Sequence, residues 1–219
     1  MVRGKAVIDI PAKPTIDLER ELWTTGIRIV AGVDEAGRGA WAGPVCAAAV
    51  VLPNDPNISH LLMGVRDSKR MTLNQRELWR GWIKSTTVDW AVAFASYKEI
   101  DAQGIVPATC LAMNRAINQL KHKPKHLLVD YLTIQDCNLP QTSLPKGDAR
   151  SLSIAAASVL AKTARDELMV KLDKKYSGYG FARHKGYGTP QHRQALQHLG
   201  LVTVHRRSYF PMKTMITKE

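Results

Sequence analysis

The chain has 219 residues, 45% of them hydrophobic, which suffices for one sizeable domain with a real core. No apolar run reaches the ~18 residues of a membrane span, and Met1–Lys5 leads into no signal-peptide core. The three cysteines (Cys46, Cys110, Cys137) are too scattered for a disulfide framework or a zinc cluster, so a reduced, cytoplasmic setting is expected. The net charge of +12 is uneven: residues 161–219 hold 12 Lys/Arg and 4 Asp/Glu, leaving 19 and 15 for residues 1–160. A basic C-terminal quarter beside an acid-bearing core suits a polyanionic partner on which carboxylates act.

In chain order, residues 1–25 contain Pro11, Pro14 and mixed charge, and read as a loosely attached, disordered arm. Ile27, Ile29, Val30 and Val33 form an apolar strand pattern that ends on Asp34-Glu35 and a Gly37-Arg38-Gly39 turn. Val45 to Leu52 is a second apolar run, closed by Pro53. The short connection leaves no room for the helical crossover of a parallel pair, so an antiparallel hairpin is expected. Val88 to Ser96 gives a third strand with Val88, Trp90, Val92 and Phe94 on one face. Between them, Thr72 with Gln75 forms a capping box for a helix through Trp79, Trp82 and Ile83.

A further helix is expected over residues 107–121, with Cys110, Met113, Ile117 and Leu120 at helical spacing. Leu127-Leu128-Val129-Asp130 is another apolar strand ending on an acid. An alanine-rich helix from about Ser153 to Lys175 carries small residues suited to close packing on a sheet. Thr189-Pro190 opens a last short helix that Gly200 closes. This order of elements describes an α/β domain around a mixed sheet.

The acids share one pattern: Asp34-Glu35, Asp130, and Asp148 in Lys146-Gly147-Asp148 each follow an apolar strand or sit beside a glycine. Mg²⁺ and similar ions take oxygen ligands, commonly a few carboxylates completed by water and substrate phosphate. A pair of such ions can stabilise both the attacking and the leaving oxygen of a phosphodiester displacement. Consecutive strand residues face opposite ways, so a break after Asp34-Glu35, at Ala36-Gly37, is expected to bring both acids to one site. Gly37-Arg38-Gly39-Ala40-Trp41-Ala42 also matches a dinucleotide-binding fingerprint. That motif needs a helix at the turn, and Pro44 with the following strand leaves no space for one.

GVDEAGRG, AGPV, DSK, LLVD, KGD, SIAAASVLAK, YGFARHKGYGT and HRRSYFP occur in an order that resembles type 2 ribonuclease H (ribonuclease HII), from about Gly32 to Pro211. The resemblance implies a ribonuclease H-like mixed five-stranded sheet flanked by helices, with a helical C-terminal extension. It divides the chain into a catalytic domain over residues 26–177 and a basic C-terminal region over residues 178–219 packed on it. It implies a metal-dependent endonuclease acting on RNA:DNA hybrids, and on ribonucleotides embedded in duplex DNA, cut on their 5′ side. Two Mg²⁺ or Mn²⁺ ions would be held by Asp34, Glu35, Asp130 and Asp148.

By the same resemblance, Gly37, Arg38 and Gly39 would meet the ribose 2′-hydroxyl, the group that distinguishes RNA. Tyr187 would read the neighbouring deoxyribose. Lys69, Lys162 and Arg165, with His184 and Lys185 beside Tyr187, are the cations expected to meet phosphates. The chain departs from the family pattern at Ala40, where proline is usual, at Tyr131, where glycine is common, and at Gly104, where asparagine often stands. A monomer is expected, since no heptad or interface stripe is evident.

Overall fold

The computed structural model describes residues 11–216. Its elements, in chain order, are α1 (Asp17–Thr24), β1 (Val30–Ala36), β2 (Val45–Val51), α2 (Ile58–Leu61), α3 (Leu73–Thr86), β3 (Asp89–Ala95) and α4 (Tyr97–Gln103). There follow α5 (Ile105–Gln119), β4 (His126–Asp130), β5 (Gln141–Leu144), α6 (Leu152–Lys175), α7 (Phe181–His184), α8 (Pro190–Leu199) and α9 (Met212–Ile216).

One five-stranded sheet has the order β3-β2-β1-β4-β5. β1 pairs antiparallel with β2, as the short connection required, and parallel with β4. β2 is buried along its whole length and built from small residues, so helices approach both sheet faces closely. On one face α6 packs against Val30, Cys46, Ala48 and Val50. On the other, α5 packs against Ala31, Val33, Ala47 and Ala49. The contact of α6 with β1 is tight: a Cβ on Gly32 would lie 2.2 Å from the Ser153 carbonyl carbon. That glycine lets the N-terminal turn of α6 rest directly on the central strand, beside the acids.

The Thr72–Gln75 capping box forms in both directions at the start of α3. Thr189 caps α8, with Pro190 at its first turn and Gly200 at its end. Tyr179, Phe181, Leu196, Val204 and Met212 form a separate apolar cluster with Met169 of α6, which seats the C-terminal region on the sheet domain.

Two expectations need correction. The arm is not loose over its described part: α1 buries Trp23 after a buried Ile16. Glu19 of α1, fully buried, accepts hydrogen bonds from the Ser151 and Ser153 hydroxyls at 2.6 Å each. Residues 1–10 lie outside the described residues. The strand does end at Ala36, with Gly37 at φ 95°, but this break does not turn both acids to one face, because β1 stays paired with β2 through Glu35 to Ala36.

Candidate active site

Because β1 stays regular, Asp34 leaves it on the α6 face with Val30 and Ala36, and Glu35 leaves on the α5 face with Ala31 and Val33. The parallel neighbour β4 ends on Asp130, one residue beyond the pair Val33–Val129, so Asp130 stands next to Asp34. The Lys146-Gly147-Asp148 turn folds back onto β4. There the Gly147 amide donates to Asp130 Oδ1 at 2.6 Å, and a Cβ on Gly147 would lie 3.3 Å from the Asp130 Cα. The left-handed backbone of Lys146 (φ 55°) makes the reversal. Three separate segments thus deliver four acids to one end of the sheet.

These acids are crowded, and two of them are nearly dry. Asp34 is 4% exposed and Asp148 8%. Burial, then repulsion from Glu35 and Asp130, pushes the Asp34 carboxyl well above its ordinary value, against hydrogen bonds from Ser158 and the Glu35 amide. Burial also raises Glu35, opposed mainly by Arg38, and raises Asp130, opposed mainly by the Gly147 amide. Asp148 is pushed up to about 6 by burial and by its neighbours Asp67 and Asp130. Burial pulls Lys69 down, but the combined attraction of Asp34, Asp67, Asp148 and Asp130 outweighs it and holds the ammonium charged.

The donor set fits a hard divalent cation. All the donors are carboxylate oxygens, and buried Glu35 Oε2 has no hydrogen-bond partner, an orphan that a cation would satisfy. Among the described residues no three Asp, Glu, His or Cys side chains converge tightly enough to hold an ion as they stand. A site completed by water and phosphate oxygens does not require such a cage.

A cleft of about 760 Å³ is lined by Glu35, Gly37, Arg38, Gly39, Lys69, Lys162, Tyr187 and Tyr209 among others. It brings the Gly37–Gly39 turn and Tyr187, 37% exposed, together beside the acids. A second, more apolar groove of about 680 Å³ between α3, β3 and α6 contains none of the four acids. Lys162 lines the cleft but is tied to Asp166 at 2.6 Å.

Arg165 and His184 do not meet the expectation of phosphate contacts. Arg165 is fully buried, and its guanidinium donates to the carbonyls of Pro44, Ala42 and Lys185 at 3.0–3.2 Å. His184 is also buried, with Nε2 2.8 Å from the Tyr179 carbonyl and Nδ1 accepting from the Gly186 amide at 3.2 Å. The Lys185 ammonium donates to the Ala182 carbonyl at the end of α7. Asp67, Ser158, Arg206 and Tyr209 were not singled out from the sequence as site residues, although the DSK and HRRSYFP segments contain three of them.

A family model for ribonuclease HII matches residues 31–211. The chain belongs to the ribonuclease HII family. It is 50% identical over 198 residues to the ribonuclease HII of Geobacillus kaustophilus (strain HTA426), a match covering 90% of this chain and 74% of that protein. The crystal structure of ribonuclease H2 from Pyrococcus horikoshii OT3 superposes with a TM-score of 0.74 at 28% identity, over 87% of this chain and 98% of that one. Bst-RNase HIII, solved in complex with Mn²⁺, shares the fold at a TM-score of 0.67 and 20% identity, over 88% of this chain and 70% of that one. As a ribonuclease H, this chain is an RNA-cleaving nuclease, and its mixed five-stranded sheet with a helical C-terminal part is the fold of that group.

Proposed function

We propose that this ribonuclease HII cleaves the RNA strand of RNA:DNA hybrids and cuts on the 5′ side of ribonucleotides embedded in duplex DNA. Water attacks the phosphorus in line, the bond from phosphorus to the 3′-oxygen breaks, and the products carry a 3′-hydroxyl and a 5′-phosphate. The observation that carries this reading is the cluster of four acids at one end of the sheet, whose Glu35 lines the same cleft as the Gly37–Gly39 turn and Tyr187. Asp34, Glu35, Asp130 and Asp148 would hold two Mg²⁺ or Mn²⁺ ions, with Asp34 and Asp148 on one side and Asp34, Glu35 and Asp130 on the other. When bound, such ions make water acidic enough to attack near neutral pH and stabilise negative charge on the leaving oxygen.

The protein's own groups prepare the site. Ser158 and the Glu35 amide orient Asp34, and the Gly147 amide fixes Asp130. Lys69 lies at the solvent edge of the acids, where a phosphate must approach. The Gly37–Gly39 turn meets the 2′-hydroxyl, and Tyr187 packs on the next sugar, which restricts cutting to ribonucleotide positions.

The test uses duplex DNA containing one ribonucleotide, incubated with Mg²⁺, Mn²⁺ or a chelator. Cleavage is expected with metal and none with chelator, and Asp34→Asn or Asp130→Asn should abolish cleavage while leaving duplex binding largely intact. Binding without cleavage under every metal would turn the protein into a nonenzymatic nucleic-acid binder. Full turnover by either variant would remove the assignment of the acids.

A further inference from the structure

Arg206 and Arg165 are the two largest side chains that are fully buried in this protein. A buried guanidinium costs several kcal/mol unless its donors are met. Here the donors go to main-chain carbonyls in just two loops, apart from one bond from Arg206 to the Tyr209 hydroxyl at 3.3 Å. Arg206 donates to Gly37 O at 2.7 Å, Arg38 O at 2.7 Å and Gly43 O at 3.0 Å. Its neighbour Tyr209 donates its hydroxyl to Arg38 O at 2.9 Å. Arg165 takes Ala42 and Pro44 from the same loop and Lys185 from the loop that carries Tyr187. The two loops also bond directly, with the Trp41 amide donating to Gly186 O at 2.8 Å.

The geometry of the turn follows from these bonds. Each peptide unit is planar and trans, so a carbonyl drawn inward turns the amide of the next residue outward. With the Gly37 and Arg38 carbonyls held inside, the amides of Arg38 and Gly39 face the cleft. Among the described residues neither amide donates to another protein group. Gly37 has φ +95°, and a Cβ there would lie 1.9 Å from Arg165 Nε, so the packing also requires glycine.

We infer that Arg206 is a positioning residue for ribonucleotide recognition: it aims the Arg38 and Gly39 amides as a fixed pair of donors, which Arg165 holds in register with Tyr187. The role rests on the reading of the Gly37–Gly39 turn as the part that meets the 2′-hydroxyl. It assigns selectivity to a charged side chain that never touches the substrate. Burial lowers the Arg206 guanidinium to about 10, which still leaves it charged at neutral pH. Lysine could not replace it, because a single ammonium cannot span three carbonyls in the fixed fork that guanidinium provides.

The test is Arg206→Lys, with Tyr209→Phe as a milder companion that deletes one hydroxyl. Folding is checked by circular dichroism and thermal melting, and the acids by Mn²⁺ titration calorimetry. Binding is compared in an Asp34→Asn background for a duplex with one ribonucleotide and for the same duplex made wholly of DNA. In Arg206→Lys the fold, Mn²⁺ binding and all-DNA binding are expected to stay within about twofold of the parent, while preference for the ribonucleotide falls roughly tenfold or more. Cleavage of the single-ribonucleotide duplex by the otherwise wild-type variant should fall through kcat. Tyr209→Phe should lose about threefold in preference, and this keeps the inference testable if Arg206→Lys fails to fold.

A folded Arg206→Lys variant with intact preference would overturn the inference, as would equal weakening for both duplexes or an unchanged Tyr209→Phe. A parent protein with no ribonucleotide preference would instead remove the reading of the turn itself, and this role with it.

Discussion

Asp148 sits between Asp67 and Asp130 with its carboxyl raised to about 6 from an ordinary 3.8. A raised carboxyl binds more protons in the folded than in the unfolded chain, so its stabilising contribution is lost as pH rises through about 6. At neutral pH and without metal, the ionised group therefore works against folding. Asp148→Asn is expected to raise the melting temperature of metal-free protein by a few degrees, about 1–2 kcal/mol after allowing for partial solvation. The same change should slow cleavage by ~10³ or more, because the proposed assignment makes Asp148 a metal ligand where charge develops. Calorimetry in chelator and steady-state cleavage check both halves, and a less stable or fully active variant contradicts the assignment. At this scale the acids were legible because Asp34-Glu35 and Asp130 end apolar segments, where unpaired charge has no packing purpose, and Asp148 sits beside a glycine in a turn. Arg165 and His184 were not, because sequence shows that a residue is basic but not which way its side chain turns. Arg206 was missed for the same reason: its partners are carbonyls, and every residue has one.

Among the structural elements, α6 and the strand hairpin set the position of the site, and two glycines separate packing from recognition. At Gly32 a Cβ would strike the backbone of Ser153 and Ile154 at 2.2–2.4 Å, and backbone cannot yield as a side chain can. Gly32→Ala should push α6 away from β1, destabilise the fold by about 1–3 kcal/mol, and impair cleavage with it. Gly39 is the contrast, since nothing lies within 4 Å of a Cβ placed there. Gly39→Ala should leave thermal stability within about 0.5 kcal/mol of wild type, yet weaken cleavage by crowding the substrate. Parallel losses of stability in both variants would show that the turn is a packing element. The sequence pattern located the hairpin, α3, α6 and α8, because each carries a periodic apolar face or a local cap. It missed α1 and β5 for physical reasons. α1 is held by Glu19 bonding to Ser151 and Ser153, over 130 residues away, and β5 is the largely polar segment Gln141–Leu144 at the sheet edge.

For the molecule as a whole, acid affects the sheet end and the C-terminal region in opposite directions. His192 and His205 are buried and lowered to about 4, chiefly by desolvation. Their bonds form one consistent neutral chain: the Val202 amide donates to His205 Nδ1, His205 Nε2 pairs with His192 Nε2 at 3.1 Å, and His192 Nδ1 donates to the Tyr187 carbonyl. A lowered histidine binds fewer protons folded than unfolded, so its stabilisation is present above the ordinary 6.5 and is lost as pH falls towards 4. Each contributes up to about 3 kcal/mol over that interval. In metal-free protein the raised acids gain stability over much of the same range, which partly offsets the histidines. If the acids hold divalent metal as proposed, its binding reverses the sign for them, because bound carboxylates must be ionised and protons then compete with the ion. Melting temperature should therefore fall more steeply between pH 7 and 5 with saturating Mn²⁺ than with chelator. His192→Asn should reduce the slope in both conditions. Because that chain ends on the Tyr187 carbonyl, loss of ribonucleotide preference should precede global unfolding as the pH is lowered. Parallel melting curves with and without Mn²⁺ would mean that the acids do not hold the ion.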